Sequence, residues 1–347
     1  MKVDYIIVGC GLAGISFCEA LIANNKSFMV YNNNSQQSST VAGGLYNPVT
    51  LKRFTSVWKS KEQLKLALLF YRGIEARLKI KLDYKTTVYR RFTSLEEQND
   101  WFSASDKPTL NDYLSLKIHK NFNSSLDVDF GFGEVLQSGR IDTKLLIEEY
   151  KSYLKTNNQI TEEDFDYARL DIKEENISYK PIEAKHIVFA EGYGLKGNPF
   201  FKNLPLYGSK GELLTIYAPK LKMDFVLKSS VFIIPLGEDL YRIGATYERE
   251  DKTNRITPKA REELLEKLKT VLVCDFEVVD QVAGIRPTVK DRKPLIGSHP
   301  KQKNLYVLNG LGTRGVMIGP YVANQLYHYI ENDTPLDNEI DINRFED

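Results

Sequence analysis

The sequence predicts an α/β fold: a three-layer, Rossmann-like dinucleotide-binding domain with an inserted antiparallel-sheet (α+β) domain. Three observations predict it. The chain has 347 residues, more than one ordinary core organises, so two domains are expected. Its first residues run from an apolar strand through a G-x-G-x-x-G turn into a helical pattern. Parallel-type segments recur in the middle and at the end, and between them lie closely spaced strands with the grammar of an antiparallel meander.

In chain order, residues 5–8 form the first strand, residues 15–23 the helix, and residues 27–31 a second strand that completes a β-α-β unit. Gly9 lets the chain turn at the strand end, Gly11 leaves the backbone open to a pyrophosphate, and Gly14 lets helix and strand pack closely. With Leu12 and Ala13 between them, these glycines aim the free amides and partial positive charge of a helix N-terminus at the phosphates. Residues 59–80 read as an amphipathic helix, because Leu64, Ala67, Leu68, Tyr71, Ile74 and Leu78 recur at helical spacing. Residues 86–92 alternate like a strand, 96–125 are polar and mixed without a readable period, and 132–137 form another strand. Residues 142–156 read as a helix capped by Asp142, and an apolar strand at 186–190 runs into Glu191 and Gly192. Strands at 212–217, 231–235 and 240–245 follow, the last two joined by a Gly-Glu-Asp turn. A helix at 259–273, strands at 278–283 and 305–308, and a helix at 319–330 close the chain. The dinucleotide domain is therefore expected at residues 1–50, 139–204 and 283–347, and the second domain at 51–138 and 205–282. A ligand cleft is expected at their shared boundary.

Composition narrows the function. Lys and Arg total 47 against 46 for Asp and Glu, a net charge of +1, so no strong overall field draws the chain to nucleic acid or an anionic membrane. A local basic patch stays open. Cys10, Cys18 and Cys274 make no C-x-x-C pair, which argues against a disulfide scaffold or a zinc site and suits a reducing compartment. No apolar stretch approaches the ~20 residues that span a bilayer, and the N-terminal apolar run reads as a strand, so a cytoplasmic protein is expected. Oligomeric state has no sequence signal.

At this point the residues resemble a known family, the FAD-dependent D-amino-acid oxidase and glycine/sarcosine oxidase group, along nearly the whole chain. After Gly9, Gly11 and Gly14, the run Ser38-Ser39-Thr40-Val41-Ala42-Gly43-Gly44-Leu45-Tyr46-Asn47-Pro48 is similar to the family's second flavin segment. Val188-Phe189-Ala190-Glu191-Gly192 is similar to its late strand, which ends beside the cofactor. Gly284-Ile285-Arg286-Pro287, followed by Asp291 and Pro294-Leu295-Ile296-Gly297, resembles the GxRP…D…PxIG segment. Asn309-Gly310-Leu311-Gly312-Thr313-Arg314-Gly315 opens the last helix as the family's terminal glycine loop does. The resemblance implies FAD along these segments, and because no cysteine or histidine lies in those expected to touch the ring, FAD bound without a covalent link is expected. In the C-terminal third, residues 242–249, the pair Asp291-Arg292 and residues 310–315 are also similar to the oxidase half of a bifunctional bacterial enzyme, which trims a carboxymethylaminomethyl group on tRNA wobble uridine. One departure stands out. The fold usually places an acidic residue about 20 positions beyond the glycines to accept the ribose hydroxyls. Here Asn32, Asn33 and Asn34 stand there, able to accept a hydroxyl but without charge, or to form a plain asparagine-rich turn.

The chemistry implied is oxidation of a C–N bond in a small amine or amino acid to an imine by hydride transfer to flavin, with oxygen or another acceptor taking the electrons. His119, His186, His299 and His328 lie outside the motifs and no metal-ligand spacing occurs, so the cofactor carries the hard step and side chains orient the substrate. In the resemblance Arg286 binds the substrate carboxylate, for which a planar guanidinium fork is suited; its bland reading is a strand-end arginine paired with Asp291 or another acid. Arg314, inside the glycine loop, anchors a second oxygen, stabilises charge on the reduced flavin, or forms a structural ion pair. Tyr247 and Tyr46 are candidate caps over the substrate or ordinary core tyrosines. Lys210 and the cluster Lys52, Arg53, Lys59 and Lys61 bear on the tRNA alternative, against a solvated helix face. A flavin-bound sensing or structural protein without turnover is the alternative from another class.

Overall fold

Residues 1–345 are described by a computed structural model, in which two eight-stranded sheets share one cavity. The first sheet is built around Lys2–Val8, which pairs in parallel with Phe28–Tyr31 on one side and Ile182–Phe189 on the other. Ile160–Thr161 extends it beyond Phe28–Tyr31, and Leu305–Asn309 pairs in parallel with the second half of Ile182–Phe189. The first half of that strand pairs with Ile177–Tyr179, the inner strand of an antiparallel hairpin. Phe28–Tyr31 and Leu305–Asn309 are buried along their whole length, and Lys2–Val8 and Ile182–Phe189 toward their C-terminal ends, because both faces of the sheet are covered there. Tyr5 and Ile7 enter a core with the helices Leu12–Ala23, Ser60–Leu78, Thr143–Thr156 and Gly315–Asn332. Ile6 and Val8 enter a second core with Phe165, Tyr179 and Phe189.

The second sheet runs Glu277–Val289, Leu206–Tyr217, Leu240–Gly244, Phe232–Gly237, Val226–Lys228, Val88–Arg91, Phe132–Val135, Leu114–His119. Its pairs are antiparallel, except for Val226–Lys228 beside Val88–Arg91. Glu238 and Asp239 join two of the strands with φ of 53° and 57°, the positive angles of a type I′ hairpin turn, whose twist matches that of the strands. Residues directly opposite in a ladder share a face. Arg286 lies opposite Ser209, Leu213 opposite Gly244, Gly244 opposite Phe232, and Phe232 opposite Lys228. With Gly211 and Ile234, they make the face that lines the cavity.

Several bounds differ from the sequence expectation, each for a physical reason. The first and last helices begin at Leu12 and Gly315, directly on their glycine turns. Residues 206–211 belong to a strand because Leu206–Tyr217 is paired with Glu277–Val289 along its whole length, which overrides the poor strand propensity of its glycines. The polar stretch 96–125 holds the helix Leu95–Ser105 and the strand Leu114–His119. Its signal was Ser94, whose Oγ accepts the Glu97 amide at 3.1 Å, a cap hidden by the polar composition around it. Asp142 caps its helix in the same way, accepting from the Leu145 amide at 3.1 Å. The strand Glu277–Val289 runs unbroken across residue 283, where the sequence suggests a division.

Candidate active site

A cavity of about 1750 Å³ lies between the C-terminal ends of the parallel strands and the face of the second sheet. Sites for one small molecule usually measure about 300–1,000 Å³, so this one has room for a dinucleotide and a substrate together. Its cofactor end is built by the first turn. Gly9 has a φ of 106°, and a Cβ there would stand 2.4 Å from the Ala190 carbonyl oxygen, so the fold itself needs glycine. Gly14 does not line the cavity; a Cβ on it would stand 2.0 Å from the Gly9 oxygen, so its absence lets helix meet strand. Gly11 has an ordinary φ of −88°, and a Cβ on it would approach Ser39 Oγ to a tight 3.0 Å. The Leu12 amide donates to Ser39 Oγ at 3.1 Å. Cavity walls further include Ala13, Asn32, Ser38, Gly43, Gly44 and Leu45, then Ala190 and Gly192, and then Gly310, Gly312, Thr313, Arg314 and Gly315.

At the other end, Arg286 Nη1 donates to the Thr246 carbonyl at 3.2 Å, and the guanidinium stacks 4.6 Å from the Tyr247 ring centroid. Burial holds its pKa below the usual arginine range, and no carboxylate of the described residues pairs with it. The bland pairing with Asp291 is not formed: Asp291 accepts from Arg344 Nε at 2.9 Å and from the Lys293 amide. An unpaired, half-buried guanidinium has a strong unmet demand for an anion. Sequence reasoning missed what makes room for it. A Cβ on Gly211 would stand 1.9 Å from Arg286 Nη2, so glycine at this register position lets the guanidinium lie across the neighbouring strand. Tyr247 is 68% exposed and lines the cavity.

Arg314 ties the terminal glycine loop to the second flavin segment, donating to the Asn47 oxygen at 2.9 Å and to Thr50 Oγ1 at 3.1 Å. It makes no ion pair among the described residues, and burial pulls its pKa down to about 10. Tyr46 is a correction. Strand alternation puts Leu45 and Asn47 on the cavity and Tyr46 away from it, where its hydroxyl donates to Asp83 Oδ1 at 2.7 Å and accepts from Lys85. Lys210 is a second one: fully buried, it pairs with Asp251 at 2.6 Å and Glu212 at 3.3 Å, and presents nothing to a phosphate. Among the described residues no histidine lines the cavity and no cluster is arranged to hold a metal.

Residues 4–328 match the model of the DAO family, FAD dependent oxidoreductase. The chain belongs to that family. Glycine oxidase from Bacillus subtilis (strain 168) is 26% identical over 220 residues, 58% of this chain and 59% of that protein. The tRNA 5-methylaminomethyl-2-thiouridine biosynthesis bifunctional protein MnmC from Azoarcus sp. (strain BH72) is 25% identical over 181 residues, 46% of this chain and 28% of that protein. The matched stretches thus span less than two thirds of either relative. The crystal structure of glycine oxidase from Geobacillus kaustophilus has the same fold, with a TM-score of 0.82 over 97% of both chains at 18% identity.

For a member of the FAD dependent oxidoreductase family, the cavity has fitting groups for the cofactor: a helix N-terminus behind Gly11, the Ser39 hydroxyl, and glycine segments beside open space. Asn32 stands where the fold usually places an acidic residue. Asn32 Oδ1 accepts from the Cys10 amide at 3.1 Å, while its Nδ2 donates to Asn34 Oδ1 at 2.8 Å. A carboxylate there would keep the bond to Cys10 and offer a charged oxygen to the ribose, provided that Asn34 turns its amide. A hydrogen bond to a charged group exceeds a neutral one by roughly 1 kcal/mol, so Asn32→Asp is expected to bind FAD about fivefold more tightly. Titration of the apoprotein with FAD measures this, and an unchanged affinity would remove Asn32 from the ribose site.

Proposed function

We propose that this protein oxidises the C–N bond of a small amine or amino acid to an imine, which water then hydrolyses. The observation that carries the reading is the unpaired Arg286 guanidinium, stacked on Tyr247 in the same cavity as the flavin-binding segments. FAD, when bound, supplies the acceptor for the hydride. The chain's own residues do the rest. The Arg286 fork holds a carboxylate through two parallel hydrogen bonds and so fixes the α-carbon. Tyr247 covers the substrate from the solvent side, and Arg314 holds the glycine loop at its station. The amine enters neutral and its lone pair assists the loss of hydride, so the step asks for no histidine, and none of the described residues lining the cavity is one. Burial pushes the Cys10 thiol up to about 12, so the one cysteine on the wall stays protonated, which supports FAD held without a covalent bond.

The test is anaerobic mixing of the purified protein with glycine, sarcosine, proline and D-amino acids. D-amino acids with an acidic side chain are included, and one of these compounds is expected to bleach the flavin; if none does, the reading is wrong, and tRNA trimming or a flavin-bound sensor without turnover takes its place. A second reading, oxidative trimming of a carboxymethylaminomethyl group on tRNA, is favoured by the match to MnmC. Tight, salt-sensitive tRNA binding is what it requires.

A further inference from the structure

We propose that the cavity has a second anion-binding end, built on Lys228 with Lys52 and Lys267, and that the amine oxidised here carries a distal anionic group, a phosphate ester or a carboxylate. The inference rests on the proposed oxidation of an amine and names its substrate class more closely. Lys228 lies on the same face of the second sheet as Arg286 and lines the same cavity. Its ammonium stands 4.6 Å from the Phe232 ring centroid, and it has no hydrogen-bond acceptor or carboxylate partner among the described residues.

What surrounds it is positive. Arg90 stands opposite on the neighbouring strand, Lys267 comes from the helix Pro258–Lys269, and Lys52 comes from the loop after Val49–Thr50. Arg90 is already paired with Glu97, and Lys267 with Glu263, but Lys52 and Lys228 have no counter-ion among the described residues. Burial and these three cations pull the Lys228 pKa down to about 8. An anion seated there would pair with the buried ammonium, offsetting the burial, and would screen it from these cations.

Spacing sets the length of the substrate. Arg286 lies over Gly211, two positions from Leu213, and from Leu213 the ladder crosses Gly244 to reach Phe232, under the Lys228 ammonium. Two strand spacings and two residues put the two cations roughly 12 Å apart. A molecule as small as glycine cannot touch both, whereas an amine with an extended arm can.

The FAD-loaded protein is titrated by calorimetry with inorganic phosphate and with succinate, so that the cofactor's own phosphate site is filled. At least one anion is expected to bind, and to bind at least about tenfold more weakly to Lys228→Met, which keeps the stem over Phe232 but loses the charge. Lys228→Arg is expected to retain binding, as is Lys185→Met, whose ammonium pairs with Asp4 on the outer surface. Binding of phosphate alone assigns a phosphate ester, and binding of succinate alone a carboxylate. Because the Lys228 ammonium deprotonates, succinate affinity should fall as pH rises above about 8, while Arg90 stays charged. The inference is overturned if neither anion binds, if Lys228→Met binds as wild type does, or if Lys228→Arg binds no better than Lys228→Met. It is also overturned if only tRNA binding responds to Lys228. Anion binding in a protein that no amine reduces would remove the proposed oxidation and leave the anion site standing.

Discussion

Gly11→Val is expected to give a folded protein that has lost most of its FAD. The backbone at Gly11 has a φ of −88°, open to any residue, and a Cβ there meets only the Ser39 hydroxyl, at 3.0 Å. The fold therefore accepts a side chain, and the loss falls on the cofactor. The isopropyl group enters the path of the pyrophosphate and crowds Ser39, which accepts the first helix amide. Overpacking of this kind costs roughly 1–3 kcal/mol, or about 5- to 150-fold in FAD affinity. The measurement is the flavin-to-protein absorbance ratio beside a circular-dichroism melt. Normal FAD content in a folded variant would move the pyrophosphate elsewhere. Gly9→Val gives the contrast, since there the positive φ and the Ala190 carbonyl make glycine a requirement of the fold, and the variant should lose stability as well as FAD.

The second large effect is at Arg286. Its removal leaves a substrate carboxylate without its charged partner, a loss of about 1.5–3 kcal/mol, so Arg286→Ala should lower kcat/KM for an amino acid at least tenfold. The loss grows if the carboxylate also sets the angle of the reacting C–H bond. Arg286→Lys should recover only part, because it restores the charge but not the fork. Gly211→Ala should act in the same direction without touching the arginine, since the new methyl group claims the guanidinium's place. Stopped-flow reduction of the flavin is compared for the amino acid and for its uncharged amine analogue. Equal slowing of the two would mean that Arg286 supports the flavin or the fold, and the carboxylate assignment would be withdrawn.

The sequence alone determined the parts of this protein that are local in the chain. A strand, a glycine turn and a helix follow one another within the first residues, so the Gly9, Gly11 and Gly14 arrangement is readable from spacing, as are the Asp142 cap and the hairpin around Glu238 and Asp239. Arg286 and the glycine segments were legible as motifs. Tertiary structure decided what depends on pairing between distant strands. Which face of its strand Tyr46 presents follows from its pairing with Gly139–Ile141, and that turned a candidate cap into a buried partner of Asp83. Whether Arg286 found Asp291 or stayed free depended on Arg344, far away in sequence. Gly211 looks like any glycine until the register sets it beside Arg286, and Lys228 looks like any surface lysine until the ladder carries it onto the cavity face. Sequence spacing fixes contacts within a turn or a helix. Contacts across a sheet depend on register, which is set by the two burials of the whole sheet at once.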